Sequence, residues 1–243
     1  MTSNPMLRPR AIESALELDK PMTVQGAVNK TLLFLIIAVA SAAYTWIMCA
    51  KGFSVQKISV LTGVGAIMGL ILAIITSLKP QAAKITGGAY AVCEGVVMGA
   101  ISLMYEAAYG GIVLQAIGIT LLALFSMLFL YTTGVIKATE TFRKIVIVST
   151  AAIMIYYLIT FIMSWLGHPT TIFNGGLVGI GISLIFCIVA SLNFILDFDF
   201  VEKGAQAGAP SYFEWYGAFA LMVTVVWLYL EVLRLLAQLN RRS

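Results

Sequence analysis

The sequence predicts an all-α membrane protein built as a bundle of seven transmembrane helices. Hydrophobic residues make up 60% of its 243 residues and charged residues only 11%, and the mean hydropathy is +0.97. Soluble domains carry roughly 25% charged residues. The apolar residues are gathered into seven runs of about 20 residues, the length that an α-helix needs to cross the hydrocarbon core of a bilayer. The lipid bilayer is therefore the expected surrounding of the chain.

The seven apolar runs give the expected order of the helices. They are 31–50, 58–78, 85–105, 112–131, 145–166, 177–198 and 216–238. The connections between them are short and leave no room for a soluble domain. We therefore expect an N-terminal cytoplasmic segment, 1–30, followed by one seven-helix transmembrane domain, 31–240.

Basic residues predict the orientation of the chain. Ten of the 15 lysines and arginines lie on the side of the membrane that holds the N-terminus, and five lie on the other side. Because basic residues are retained in the cytoplasm, we expect a cytoplasmic N-terminus and an external C-terminus. The net charge of +4 suits anchoring beside the membrane and is too small to indicate nucleic-acid binding.

Acidic residues in the sixth run are a strong functional signal, because a carboxylate inside a bilayer costs about 3 kcal/mol on insertion scales. Asp197 and Asp199 are two residues apart and therefore point to nearly opposite sides of a helix. Asn193 lies one turn before Asp197, on the same side. We expect Asp197 to face the bundle interior, supported by Asn193, and Asp199 to face the water interface.

Glu231 lies within the seventh run, with Arg234 three residues later on the same face. One interpretation is an internal ion pair that neutralises both side chains. The other is a site coupled to Asp197, in which two close carboxyl groups share a proton. Loss of that proton would create repulsion and negative charge, which is a physical basis for a pH-gated cation path.

The third run carries an acid, Glu94, and three runs contain closely spaced glycines. Glu94 is mid-span with no basic residue nearby in sequence, so we expect it to line a pathway or to be protonated or hydrogen-bonded. The Gly65–Gly69 and Gly95–Gly99 spacings predict close helix packing. The glycines at 175–181 indicate packing or, alternatively, a broken helix.

Enzymatic signatures are missing from the sequence. It contains no His-Glu-x-x-His zinc motif, no Gly-x-Ser-x-Gly elbow and no phosphate-binding loop. An intramembrane aspartyl protease is the nearest enzymatic alternative, but the Gly-x-Gly-Asp context of such enzymes is missing. We therefore expect a protein that is not an enzyme and that holds no cofactor.

Two motifs give the chain a family resemblance. They are Phe194-Ile195-Leu196-Asp197 at the end of the sixth run and Leu228-Tyr229-Leu230-Glu231 in the seventh. With them the chain resembles the transmembrane Bax inhibitor motif family in its bacterial form, with Glu231 where the family has an aspartate. The resemblance implies a central C-terminal helix, a bacterial plasma membrane location and a pH-sensitive calcium leak. It also implies that Asp197 and Glu231 are a hydrogen-bonded pH-sensing pair and transient calcium ligands.

We therefore predict a pH-sensitive calcium leak channel, whose partners are calcium ions and protons. One alternative is a proton-coupled transporter that uses Glu94 and Glu231 as proton sites. Another is a non-catalytic modulator of a membrane protease, because bacterial relatives resemble such partners, and in that case the acids would be structural.

Overall fold

The structure is a computed structural model that describes residues 20–51, 55–168 and 176–241. The described residues form seven long helices, each long and apolar enough to cross a membrane. They are α1 Val24–Ala50, α2 Val55–Leu78, α3 Ala83–Ala108, α4 Ile112–Thr132, α5 Glu140–Trp165, α6 Gly176–Gln206 and α7 Tyr212–Asn240. A 3-10 turn, Pro80–Ala82, precedes α3. The predicted all-α, seven-span architecture is confirmed.

Several helices are longer than the apolar runs that predicted them. α1 begins at Val24 because the Thr23 hydroxyl accepts a hydrogen bond from the Gly26 amide (2.9 Å), and Thr139 caps α5 in the same way. The predicted boundary between residues 30 and 31 therefore falls inside α1. α6 runs unbroken from Gly176 to Gln206, so the alternative of a broken helix at its glycines is wrong. Hydropathy reports the part of a helix that crosses lipid, whereas caps and polar end turns extend the helix beyond it.

The backbone groups into two compact units. Unit 1 comprises the described residues of Met1–Ala100 and Asp199–Met222, and unit 2 those of Ile101–Phe198 and Val223–Ser243. Three helices, α3, α6 and α7, contribute residues to both units.

Unit 1 packs α1 and α2 against α3 through glycines. A Cβ atom at Gly95 would overlap the Ala38 carbonyl of α1, and one at Gly99 would lie 2.6 Å from the Ala42 carbonyl oxygen. On α2, a Cβ at Gly65 would lie 3.2 Å from a methyl group of Val97. Glycine spacing therefore serves close helix contact, as the sequence predicted.

Unit 2 packs α5, α6 and α7 around an apolar cluster. Ile153 of α5 lies against Phe186 and Val189 of α6, and Trp227 of α7 covers them. In the apolar stretch of α7, 61% of the residues are buried, against 6% in α2. The prediction that the C-terminal helix is the central one is confirmed.

Candidate functional site

A series of hydrogen bonds joins polar side chains of α5, α6 and α7 within unit 2; we call it the polar ladder. Thr224 donates to Asp197 Oδ2 (2.6 Å), Asn193 Nδ2 donates to Thr150 Oγ1 (2.9 Å), Tyr157 donates to Glu231, and Ser183 donates to Gln238 Oε1 (3.1 Å). From Ser183 to Asp197 the ladder follows α6 for 14 residues, or about 21 Å at 1.5 Å per residue. The hydrocarbon core is about 30 Å thick. The four hydrogen-bonded pairs are therefore spread over most of that depth, and the apolar residues Phe186 and Val189 lie between Ser183 and Asn193 on α6.

Glu231 is the most enclosed ionisable member of the ladder, with 1% of its surface exposed. Its Oε1 accepts hydrogen bonds from the Tyr157 hydroxyl and from the Trp227 indole N–H (3.1 Å). Its Oε2 forms an ion pair with Arg234 Nη1 at 3.1 Å. The internal ion pair considered from the sequence is therefore present.

Tyr157 joins both members of this ion pair to α5. The Arg234 guanidinium donates to the Tyr157 oxygen and lies 5.1 Å from the centre of its ring. Sequence reasoning missed Tyr157 because it is 74 residues from Glu231 and is one of ten tyrosines. Trp227 lies one helical turn before Glu231, so its spacing could have predicted the contact between them.

Asp197 lies at one end of the ladder, opposite the Ser183–Gln238 pair, and is half-buried. The Thr224 hydroxyl donates to it, and within the described ranges no lysine or arginine forms an ion pair with it. Asn193, one turn earlier, bonds to Thr150 and to the Val189 carbonyl rather than to Asp197. The Asp197 carboxyl therefore has a hydroxyl partner and no counter-charge.

The structure does not bring Asp197 and Glu231 into the expected hydrogen-bonded pair. Each carboxyl group has its own partners, and Thr224, the partner of Asp197, precedes Glu231 by seven residues on α7. That interval is two helical turns, or about 10.5 Å along the axis. Register along α7 therefore separates the two acids, and their roles in pH sensing remain a prediction.

Asp199 differs from its expected position at the water interface. It belongs to unit 1, only 7% of its surface is exposed, and it forms an ion pair with Lys203 Nζ at 2.9 Å. Because α6 continues to Gln206, Lys203 lies one turn later and its charge balances that of the buried aspartate.

Glu94 is half-buried at the contact between α3 and α2 in unit 1. The Tyr90 hydroxyl, one turn earlier, faces its carboxyl group. On α2, a Cβ atom at Gly69 would lie 3.2 Å from Glu94 Oε1. Because Gly69 has no side chain, the Glu94 carboxyl group can pack directly against the backbone of α2.

Another acid of unit 1, Glu214, was not predicted as a site residue from the sequence. It is buried in the first turn of α7, where it accepts hydrogen bonds from the Thr23 amide (2.7 Å) and the Thr23 hydroxyl (3.0 Å) and forms an ion pair with Lys30. We call this arrangement the Glu214 clasp. It joins the N-terminus of α1 to α7, and its only sequence signal is an acid at the start of a helix.

Metal ligands are sparse in the part of the chain that the structure describes. It contains no group of three or more histidine, cysteine, aspartate or glutamate side chains positioned to hold a metal ion. Transient calcium contacts at Asp197 and Glu231 remain a prediction.

Comparison with known proteins identifies the family. The model of the family described as Bax inhibitor 1 like matches residues 4–241, almost the whole chain. A search of the curated proteins found no match. The match agrees with the seven apolar helices and with the resemblance carried by the two acidic motifs. The chain belongs to the Bax inhibitor 1-like family of multi-pass membrane proteins.

Proposed function

We propose that the protein is a pH-sensitive calcium leak channel of the bacterial plasma membrane, with its N-terminus in the cytoplasm, and that ions cross along the polar ladder of unit 2. The observation that supports the proposal is the length of the ladder, about 21 Å of hydrogen-bonded side chains in a helix bundle. Ionisable groups within a membrane usually mark ion or proton pathways. The resemblance to the transmembrane Bax inhibitor motif family supplies calcium as the permeant ion.

The chemistry of the ladder suits a hard cation. Calcium binds oxygen ligands, and Asp197, Thr224 and Glu231 supply carboxylate and hydroxyl oxygens. In the conformation described, the Glu231 charge is neutralised by Arg234. A cation that reached this level would meet the guanidinium, so we assign this conformation to the closed state.

The two acids have different roles in this proposal. Because Asp197 has no cationic partner, loss of its proton leaves a negative charge in the ladder that no lysine or arginine of the described residues balances. Glu231 is balanced by Arg234 and is joined to α5 through Tyr157. Asp197 is therefore the proposed pH sensor, and Glu231 holds the closed state together.

The same geometry argues against an aspartyl protease. In that mechanism two carboxyl groups share one proton around a water molecule. Here the hydrogen-bond partner of Asp197 lies about two helical turns from Glu231. We therefore propose a non-enzymatic role without a cofactor.

Calcium efflux from proteoliposomes tests the proposal. Efflux is measured from mildly acidic to mildly alkaline pH for the wild type, for Asp197→Asn and for Asp199→Asn. The Asp199→Asn variant is the matched control, because Asp199 forms an ion pair with Lys203 and does not belong to the ladder. We expect the pH dependence to disappear in Asp197→Asn and to persist in Asp199→Asn. Equal pH profiles of efflux in all three proteins would show that Asp197 is not the pH sensor. Efflux no faster than from protein-free vesicles would show that the protein is not a calcium channel.

Two other results would assign a different function. Saturable solute uptake driven by a proton gradient, and abolished in Glu231→Gln, would indicate a proton-coupled transporter. Co-purification with a membrane protease that survives both Asp197→Asn and Glu231→Gln would indicate a non-catalytic modulator. Either result in the absence of calcium efflux would contradict the channel proposal.

A further inference from the structure

A second ionisable site lies in unit 1 and includes no residue of the polar ladder. Glu94 is 11 residues from the start of α3 and 14 residues from its end, which places it about 16 Å and 21 Å from the two ends of the helix. A glutamate side chain is too short to reach the headgroup region from that depth. Its carboxyl group must therefore find its partners inside the membrane.

No positive charge is available to Glu94 in the described structure. Its ionisable neighbours are Tyr90 and Cys93 on its own helix. The apolar span of α2 that packs against it, from Ile58 to Leu78, carries no ionisable side chain, and α1 carries no charged side chain between Thr31 and Cys49. Glu214, Asp199 and Glu231, in contrast, each form an ion pair with a lysine or arginine.

We propose that Glu94 is a proton-binding site within the bilayer, held as a neutral carboxylic acid, and that it is a site of covalent modification by lipid-soluble carbodiimides. An unpaired carboxylate at this depth is disfavoured, whereas the neutral acid accepts the Tyr90 hydroxyl at little cost. Glu94 is half-buried and lies beside Gly69 of α2, and α2 is the least buried of the described spans. A lipid-soluble reagent therefore has access to its carboxyl group from the hydrocarbon side.

The modification needs the proton that Glu94 is proposed to carry. The carboxyl proton moves to one carbodiimide nitrogen while the carboxyl oxygen adds to the central carbon, which gives an O-acylisourea. The acyl group then migrates from oxygen to nitrogen and leaves a stable N-acylurea. Nothing is released and nothing is oxidised or reduced, so the protein gains the mass of one reagent molecule.

The test is carbodiimide labelling of the full-length protein in liposomes, with the modified residue located by peptide mass spectrometry. We expect a lipid-soluble carbodiimide to label Glu94 at least about tenfold more than Glu231 or Glu214, because each of these two acids forms an ion pair that favours the carboxylate form. A water-soluble carbodiimide should label Glu94 much less. The absence of a Glu94 adduct, or equal labelling by the two reagents, would overturn the proposal.

Variants of α2 locate the site independently. Gly69→Ala should slow labelling, because the new methyl group would lie 3.2 Å from Glu94 Oε1. Gly63→Ala, on the same helix with open space around it, is the matched control and should label at the wild-type rate. Equal rates in the two variants would place the reactive carboxyl group elsewhere. Because calcium efflux is not the readout, failure of this proposal is separate from failure of the channel proposal.

Discussion

Substitution of Tyr157 by phenylalanine should release the closed state proposed for the polar ladder. The change removes one oxygen atom and keeps the ring that packs against Phe186 and faces Arg234. The lost hydroxyl donates to Glu231 and accepts from Arg234, so both of its bonds involve charged groups. Hydrogen bonds to charged groups contribute about 1.5–3 kcal/mol each to stability.

The effect on calcium efflux follows from that free energy. If the Tyr157 bonds exist only in the closed state, losing both at about 1.5–3 kcal/mol each moves the closed-to-open ratio by about a hundredfold or more, since 1.4 kcal/mol is a factor of ten. We expect efflux from proteoliposomes at fixed pH to rise by at least about a hundredfold.

Tyr229→Phe is the matched control for Tyr157→Phe. The Tyr229 hydroxyl forms a buried hydrogen bond with Ser102 (2.6 Å) in the same unit, and this partner is an uncharged hydroxyl. Its loss should lower the free energy of unfolding by about 1 kcal/mol and leave efflux close to the wild-type value. If both variants change efflux equally, Tyr157 acts through general packing and the assignment of the closed state is wrong.

Two further predictions concern stability, measured by unfolding in detergent micelles. Glu214→Gln should lower the free energy of unfolding by at least about 2 kcal/mol, because it weakens the Glu214 clasp, whereas Lys203→Gln should cost less than about 1 kcal/mol because its side chain is 57% exposed. Gly95→Ala should destabilise the protein because its Cβ would overlap the Ala38 carbonyl, whereas Gly118→Ala, with open space around it, should be neutral or slightly stabilising. Equal effects within either pair would contradict the packing described.

The sequence predicted the fold because each of its signals is local. Seven runs of apolar residues predict seven membrane-spanning helices, and glycines four residues apart predict a helix face on which a neighbouring helix can pack closely. The ends of the helices were less predictable. Thr23 extends α1 by a cap that hydropathy does not measure, and α6 continues to Gln206 past the ion pair of Asp199 with Lys203.

The site was predictable only where its members share a helix. Arg234 follows Glu231 by three residues, so the spacing alone indicated the ion pair that the structure contains. Tyr157 and Thr224 are contributed by tertiary packing, and nothing in their local sequence distinguishes them from other tyrosines and threonines. The expected pairing of Asp197 with Glu231 required the register between two helices, which a single sequence does not supply.

The separation of the two acids changes how a pH response would arise. A shared proton would make Asp197 and Glu231 titrate together, with one apparent step for the pair. Apart, they differ in charge balance: the Glu231 charge is matched by Arg234, and Asp197 has only the Thr224 hydroxyl. A proton leaving Asp197 therefore adds a negative charge at one end of the ladder that no lysine or arginine of the described residues balances in an ion pair. In the proposed channel, alkaline pH would draw a cation toward Asp197, so the pH response would arise from one acid and would not require a proton shared by two.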